Sequence, residues 1–201
     1  MDDKLYRTLK YTALVLGLSY LVFSLYEGFF QGKDQFTVEL GAAHRAFEDG
    51  RLDDALHGFD KSLELRPGDP YALYGKGITL MRMDRDDEAL EDFNQAINNF
   101  KQNPEGQEKT ALAVIYANRG LLFDARGKYQ KALDDYTLAL RMDEKVKEGA
   151  GIITRLMKNQ PEKPPTVLDR ARYLKEQLAL PVDQRQLRDP ELDEKQPPLK
   201  M

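Results

Sequence analysis

Three alanines, Ala55, Ala89 and Ala132, keep the same company, and this recurrence constrains the fold more than any other feature of the chain. An aromatic residue follows four positions on (Phe59, Phe93, Tyr136), a small one seven on (Ser62, Ala96, Ala139) and an aliphatic one eight on (Leu63, Ile97, Leu140). Offsets of four, seven and eight lie on one face of a helix. Twelve positions before each alanine stand Ala43, Gly77 and Gly120, separated from it by Asp49-Gly50-Arg51, Met83–Asp86 and Arg126-Gly127-Lys128. Each copy is therefore a pair of short amphipathic helices joined by a turn, with small residues where the two must approach closely. Such a pair cannot bury its apolar face alone, so copies must stack. The copies are 34 and then 43 residues apart, the second spacing being one period with nine residues inserted.

A 34-residue period with this small/large pattern resembles the tetratricopeptide repeat (TPR) family, over Phe36–Glu144. The resemblance implies an all-α fold, a solenoid of three helix pairs at residues 36–69, 70–103 and 113–144, with an insertion at 104–112. Gln107–Leu112 carries no turn residue and is expected to lengthen the first helix of the third repeat. In the second turn Asp84 stands where the pattern has glycine, a departure expected to cost some local stability.

In this family the first helix of each pair builds the inner wall of the superhelix. The resemblance places Leu40, His44 and Phe47 there, then Tyr71, Tyr74, Ile78, Met81 and Arg82, then Asn118 and Leu121. Members that grip the C-terminal carboxylate of chaperones use a lysine/asparagine/arginine constellation on this wall. The matching positions here include Leu40, His44, Gly75, Val114 and Asn118, so that clamp is missing. The remaining apolar and aromatic wall suits an apolar helix or an extended segment of a protein partner. The chain's own C-terminal helix or N-terminal linker would fit it equally.

The flanks read differently. After a polar stretch at 1–10, Tyr11–Tyr26 carries no charge, and with Phe29 and Phe30 it reads as a transmembrane signal-anchor helix over 11–30. No small-x-small cleavage site follows it, which argues against a removed signal peptide. Lys4, Arg7 and Lys10 precede the run, and Lys33 alone follows within fifteen residues. The positive-inside rule then puts the N-terminus in the cytoplasm and the repeats on the opposite side, the periplasm in a bacterium. Ala13 and Gly17 would permit close pairing of two such helices. A linker at 31–35 leads to the repeats, and capping helices are expected at 145–180. Within these, Thr166 and Asp169 form a capping box, Val167, Ala171, Leu174 and Leu178 make the apolar stripe, and Arg170, Arg172, Lys175 and Glu176 face solvent. Prolines at 181, 190, 197 and 198 predict an extended or disordered tail over 181–201.

Nothing here calls for catalysis. The two histidines, His44 and His57, fall on different helices, and there is no cysteine to complete a metal site. Asp84–Glu88 lacks the spaced ligands and central glycine of a calcium loop. Paired acids such as Asp134/Asp135 fall at solvent-facing helix starts. No phosphate-binding glycine loop or nucleophile elbow stands between strand and helix. A net charge of −4 offers no basic field for nucleic acid. The sequence thus predicts a membrane-anchored interaction scaffold with no cofactor. It would recruit a partner, or serve as accessory subunit or assembly factor of a membrane complex, touching the lipid bilayer through 11–30. The alternative is a structural protein that homo-oligomerises through its repeats and N-terminal helix.

Overall fold

The computed structural model describes residues 3–30, 34–102, 109–143, 146 and 166–188. Apart from residue 146, the capping helix expected at 145–159 lies outside these residues, as do most of the insertion and the tail beyond 188. The chain divides into two units, Met1–Val38 and Glu39–Met201.

The first unit is dominated by α1, Asp3–Phe30. Its described apolar side chains, among them Leu14, Leu16, Leu18, Leu21 and Phe23, are exposed. Among the described residues no helix is long and apolar enough to cross a membrane, which overturns the transmembrane reading of 11–30 and the two-sided topology built on it. The uncharged run stops after 16 residues, a rise of about 24 Å against the ~30 Å of a hydrocarbon core. Within it Thr12, Gly17, Ser19, Tyr20 and Ser24 dilute the aliphatic residues that suggested insertion.

The second unit is helix upon helix. After α2 (Gln35–Glu48) come α3 (Leu52–Leu65), α4 (Pro70–Arg82), α5 (Asp86–Gln102), α6 (Lys109–Ala125), α7 (Tyr129–Met142) and α8 (Val167–Ala179), then a 3-10 turn at Val182–Gln184. The second helix of each pair packs on the next element along: α3 on α4, α5 on α6, α7 on α8. Helix α6 has 17 residues where α4 has 13, so the third pair does begin with a longer helix.

The recurring residues are the interlocks. A Cβ on Gly77 would lie 2.7 Å from the ring of Phe93, and one on Gly120 the same distance from Tyr136. These are the small and aromatic members of one repeat, pressed together where its two helices cross. Phe59, Phe93 and Tyr136 are wholly buried at these crossings, and full burial of each such side chain is worth about 1.5–3 kcal/mol. Gly75, outside the repeating set, is tighter still. A Cβ there would sit 2.2 Å from Phe59 of the preceding repeat. Gly75→Ala should therefore lower stability by about 1–3 kcal/mol despite alanine's better helix propensity, as read from the urea midpoint. An unchanged or raised midpoint would mean that the α3–α4 contact yields freely.

Each turn needs one left-handed residue. Gly50 and Gly127 have φ of 77° and 71°, and Asp84 takes the same place at 59°. Left-handed backbone strains any residue with a Cβ, though least for asparagine and aspartate. Asp84→Gly is expected to raise stability by about 0.5–1 kcal/mol; a fall would show that the Asp84 side chain holds the turn. The helix starts are secured locally. Asp69 accepts from the amides of Tyr71 and Ala72 at 3.0 Å ahead of Pro70, and Thr166 and Asp169 close the expected capping box on α8.

Candidate functional site

The inner-wall positions on α2, α4 and α6 separate by depth. Leu40, His44, Tyr71 and Met81 are half-buried, and Arg82 is exposed. Phe47, Tyr74, Ile78, Asn118 and Leu121 are buried. The family register that put all ten on one wall takes in surface and core residues alike, so it could not grade them.

Contacts explain the division. The Asn118 amide donates to Tyr74 Oη at 3.0 Å and to the Val114 carbonyl at 3.2 Å, tying α6 to α4 inside the core. Burial pushes the Tyr74 phenol far above its ordinary value, so it stays protonated. At Tyr71 and His44 the packing is looser, and both side chains are half-buried. Tyr71 meets Phe100 edge-on at 5.3 Å, and His44 meets Phe59 edge-on at 5.1 Å. Burial holds the His44 imidazole below the ordinary histidine value, against the opposing field of Glu48, so it is neutral at pH 7 and presents an uncharged aromatic surface. Arg82 lies over the Phe47 ring at 4.9 Å and donates to the Phe47 carbonyl at 3.3 Å, fastening the second repeat to the first. The open part of the wall is therefore Leu40, His44, Tyr71 and Met81 with one cation, Arg82, at its end.

The third repeat presents no such opening. Helix α6 is buried at every position from Ala111 to Asn118 and again from Gly120 to Asp124. Beyond it α8 packs on α7 and sends Arg170 to Asp124 at 2.6 and 2.8 Å, with Tyr136 Oη donating to the same carboxylate at 3.2 Å. Arg170 was expected on the solvated side of its helix and is instead 1% exposed. Asp135, expected at a solvent-facing helix start, is also buried, where Arg119 grips it with two hydrogen bonds of 2.7 and 2.8 Å. Both surprises have one cause: an arginine can bury its head wherever a carboxylate takes both donors, and the carboxylates come from other helices.

Among the described residues no group of three histidine or acidic side chains could hold a metal ion. At the Asp84–Glu88 turn two of the carboxylates, Asp87 and Glu88, have cationic partners in the chain itself. Arg85 makes two hydrogen bonds of 2.7 Å to Glu88, and Arg126 approaches Asp87 at 2.6 Å.

Helix pairs of this period, interlocked through a small residue and a ring, define an all-α TPR-like solenoid. Residues 69–145, which take in α4 to α7, match the tetratricopeptide repeat family model, so the chain carries these repeats. Among solved structures, the first TPR of Spaghetti (RPAP3) bound to the HSP90 peptide SRMEEVD is similar with a TM-score of 0.52 at 19% identity, covering 72% of this chain and 94% of that one. The N-terminal domain of stress-induced protein-1 (STI-1) from C. elegans gives 0.50 at 14% identity, over 64% and 96%. The TPR2B-domain:pHsp70-complex of yeast Sti1 gives 0.50 at 16% identity, over 72% and 99%. At these identities the likeness is one of fold. No curated protein matches the sequence.

Proposed function

We propose that this chain is a non-catalytic protein–protein interaction scaffold whose recognition surface is the open inner wall of its first two repeats. The observation that carries this reading is the contrast in depth along the wall: Leu40, His44, Tyr71 and Met81 stay accessible, while the third repeat is closed. An apolar wall with an adaptable methionine, two aromatic rings and a cation at its end takes an apolar helix or extended segment of a partner. The solved HSP90-peptide and pHsp70 complexes of similar folds support peptide capture as a use of this architecture. Their ligand chemistry does not transfer. Leu40, His44, Gly75 and Val114 offer no charged donor, and the Asn118 amide is engaged by Tyr74 and Val114. In this reading the partner belongs to a larger assembly in which the chain is an accessory subunit or an assembly factor.

The test is capture by cross-linking with the tagged full chain and with a Leu40→Glu/Met81→Glu double variant. Both positions are half-buried, so the fold should survive, whereas a substitution at Tyr74 would strike the core. A partner that is stoichiometric with the wild type and lost from the variant, at unchanged helical content, supports the groove. Equal capture by both overturns it. Persistence of that partner through high salt then separates a permanent subunit from an assembly factor.

A further inference from the structure

Past α8 the chain turns back at Pro181 and runs alongside its own helix. Residues Pro181–Gln184 are exposed, and the hold begins at Arg185. Three side chains of α8, at offsets of three and seven, then read the main chain of this strap. Arg170 donates to the Leu187 carbonyl at 3.1 Å, Tyr173 Oη donates to the Gln186 carbonyl, and Gln177 Oε1 accepts from the Gln186 amide at 2.7 Å. Leu187 packs against the core, and Arg188 donates to the Ala125 carbonyl at 2.7 Å. Ala125 is the last residue of α6, where unsatisfied carbonyls and the negative end of the helix dipole favour a cation.

Two features distinguish this from an ordinary returning loop. The reader is pre-organised: Arg170 is fixed by its two bonds to buried Asp124, so its donor to the strap stands at a set point whether or not the strap is present. The reading also needs few side chains of the strap: it uses main-chain groups, Leu187, Arg188 and Arg185, whose guanidinium donates to the Leu178 and Leu180 carbonyls at 3.1 and 2.9 Å. We propose that this face of α8, with the end of α6, is a second peptide-binding site, occupied in cis by Gln186-Leu187-Arg188. It would accept from a protein partner an extended segment in which leucine is followed by arginine. A tethered strap acts at an effective concentration on the order of millimolar, so an external segment gains access only when the strap is out.

The experiment uses the full chain carrying Leu187→Asp/Arg188→Ser, which empties the site, and a fluorescent synthetic peptide of residues 181–188. Anisotropy should show micromolar binding to this variant and at least tenfold weaker binding to the wild type. Adding Tyr173→Phe and Gln177→Leu should weaken it by tenfold or more, and a peptide with aspartate in place of the leucine should not bind. If Leu187→Asp costs helical content, Leu187→Ala/Arg188→Ser, which removes the leucine and the arginine without placing a charge against the core, serves as the emptied form. Equal binding to emptied and intact chains overturns the proposal, as does no binding to a folded emptied chain.

Discussion

Arg170→Met should cost the second unit about 3–5 kcal/mol of stability, a large loss for a single residue. Among the described residues the substitution leaves the buried Asp124 carboxylate with only Tyr136 to donate to it, at 3.2 Å. Isolating a buried charge is far more harmful than removing the pair, since a matched pair has already met much of its desolvation cost by attraction. Asp124→Leu should be nearly as damaging, for it strands the guanidinium. The double variant, in which methionine faces leucine, should recover most of the loss. Urea unfolding of the four proteins tests this directly. Against a typical total of about 5–15 kcal/mol, either single change should move the midpoint far. Losses that simply add in the double variant would mean that the two groups act independently, contrary to their 2.6 and 2.8 Å bonds.

The second large effect has the opposite sign. Asp92 lies 7% exposed on α5, and its Oδ2 has no hydrogen-bond partner. The cation nearest in influence, Lys76 on α4, is engaged 2.9 Å away by Asp60 of α3. Burial pushes the Asp92 carboxyl up from 3.8 to about 6; Lys76 opposes the shift, and Glu91, Asp60 and Glu88 add to it. A carboxyl whose pKa is higher folded than unfolded holds its proton more tightly in the native state. Its ionisation therefore subtracts stability as pH rises from about 4 to about 6, and the full penalty is present at neutral pH. Asp92→Asn should stabilise the protein at pH 7.5 by about 1–2 kcal/mol. That is less than the ~3 kcal/mol that two pKa units would give, because one amide group stays short of a partner. The advantage should vanish by pH 4. Melting temperatures of both proteins across that range are the measurement, and a constant difference between them would show that Asp92 does not titrate in this window.

Much of the second unit was legible because its determinants are local. The small and aromatic positions of each helix pair lie within about sixteen residues of one another, and the turns show themselves through Gly50 and Gly127. Asp84 could be recognised as a substitute because the turn demands one left-handed residue whatever stands there. The capping box on α8 is likewise a four-residue pattern. Apolar composition was legible in α1 too. Its consequence was not, since crossing a membrane depends on how long the uncharged run lasts and how far its polar residues dilute it.

What only the tertiary structure decided are the pairings between distant residues. Arg170 and Asp124 are 46 positions apart, and Asn118 and Tyr74 are 44 apart. A helical arginine without a visible partner reads as solvent-facing, and an asparagine on an inner wall reads as available to a ligand. Each reading fails once another helix supplies a carboxylate or a phenol at hydrogen-bonding distance. Periodicity assigns a residue to a face, but depth depends on what is packed against that face. The sequence by itself determined the repeated helix pair and the chemical character of its inner wall. How deep each wall residue lies was decided by contacts such as that of Asn118 with Tyr74, which no local pattern encodes.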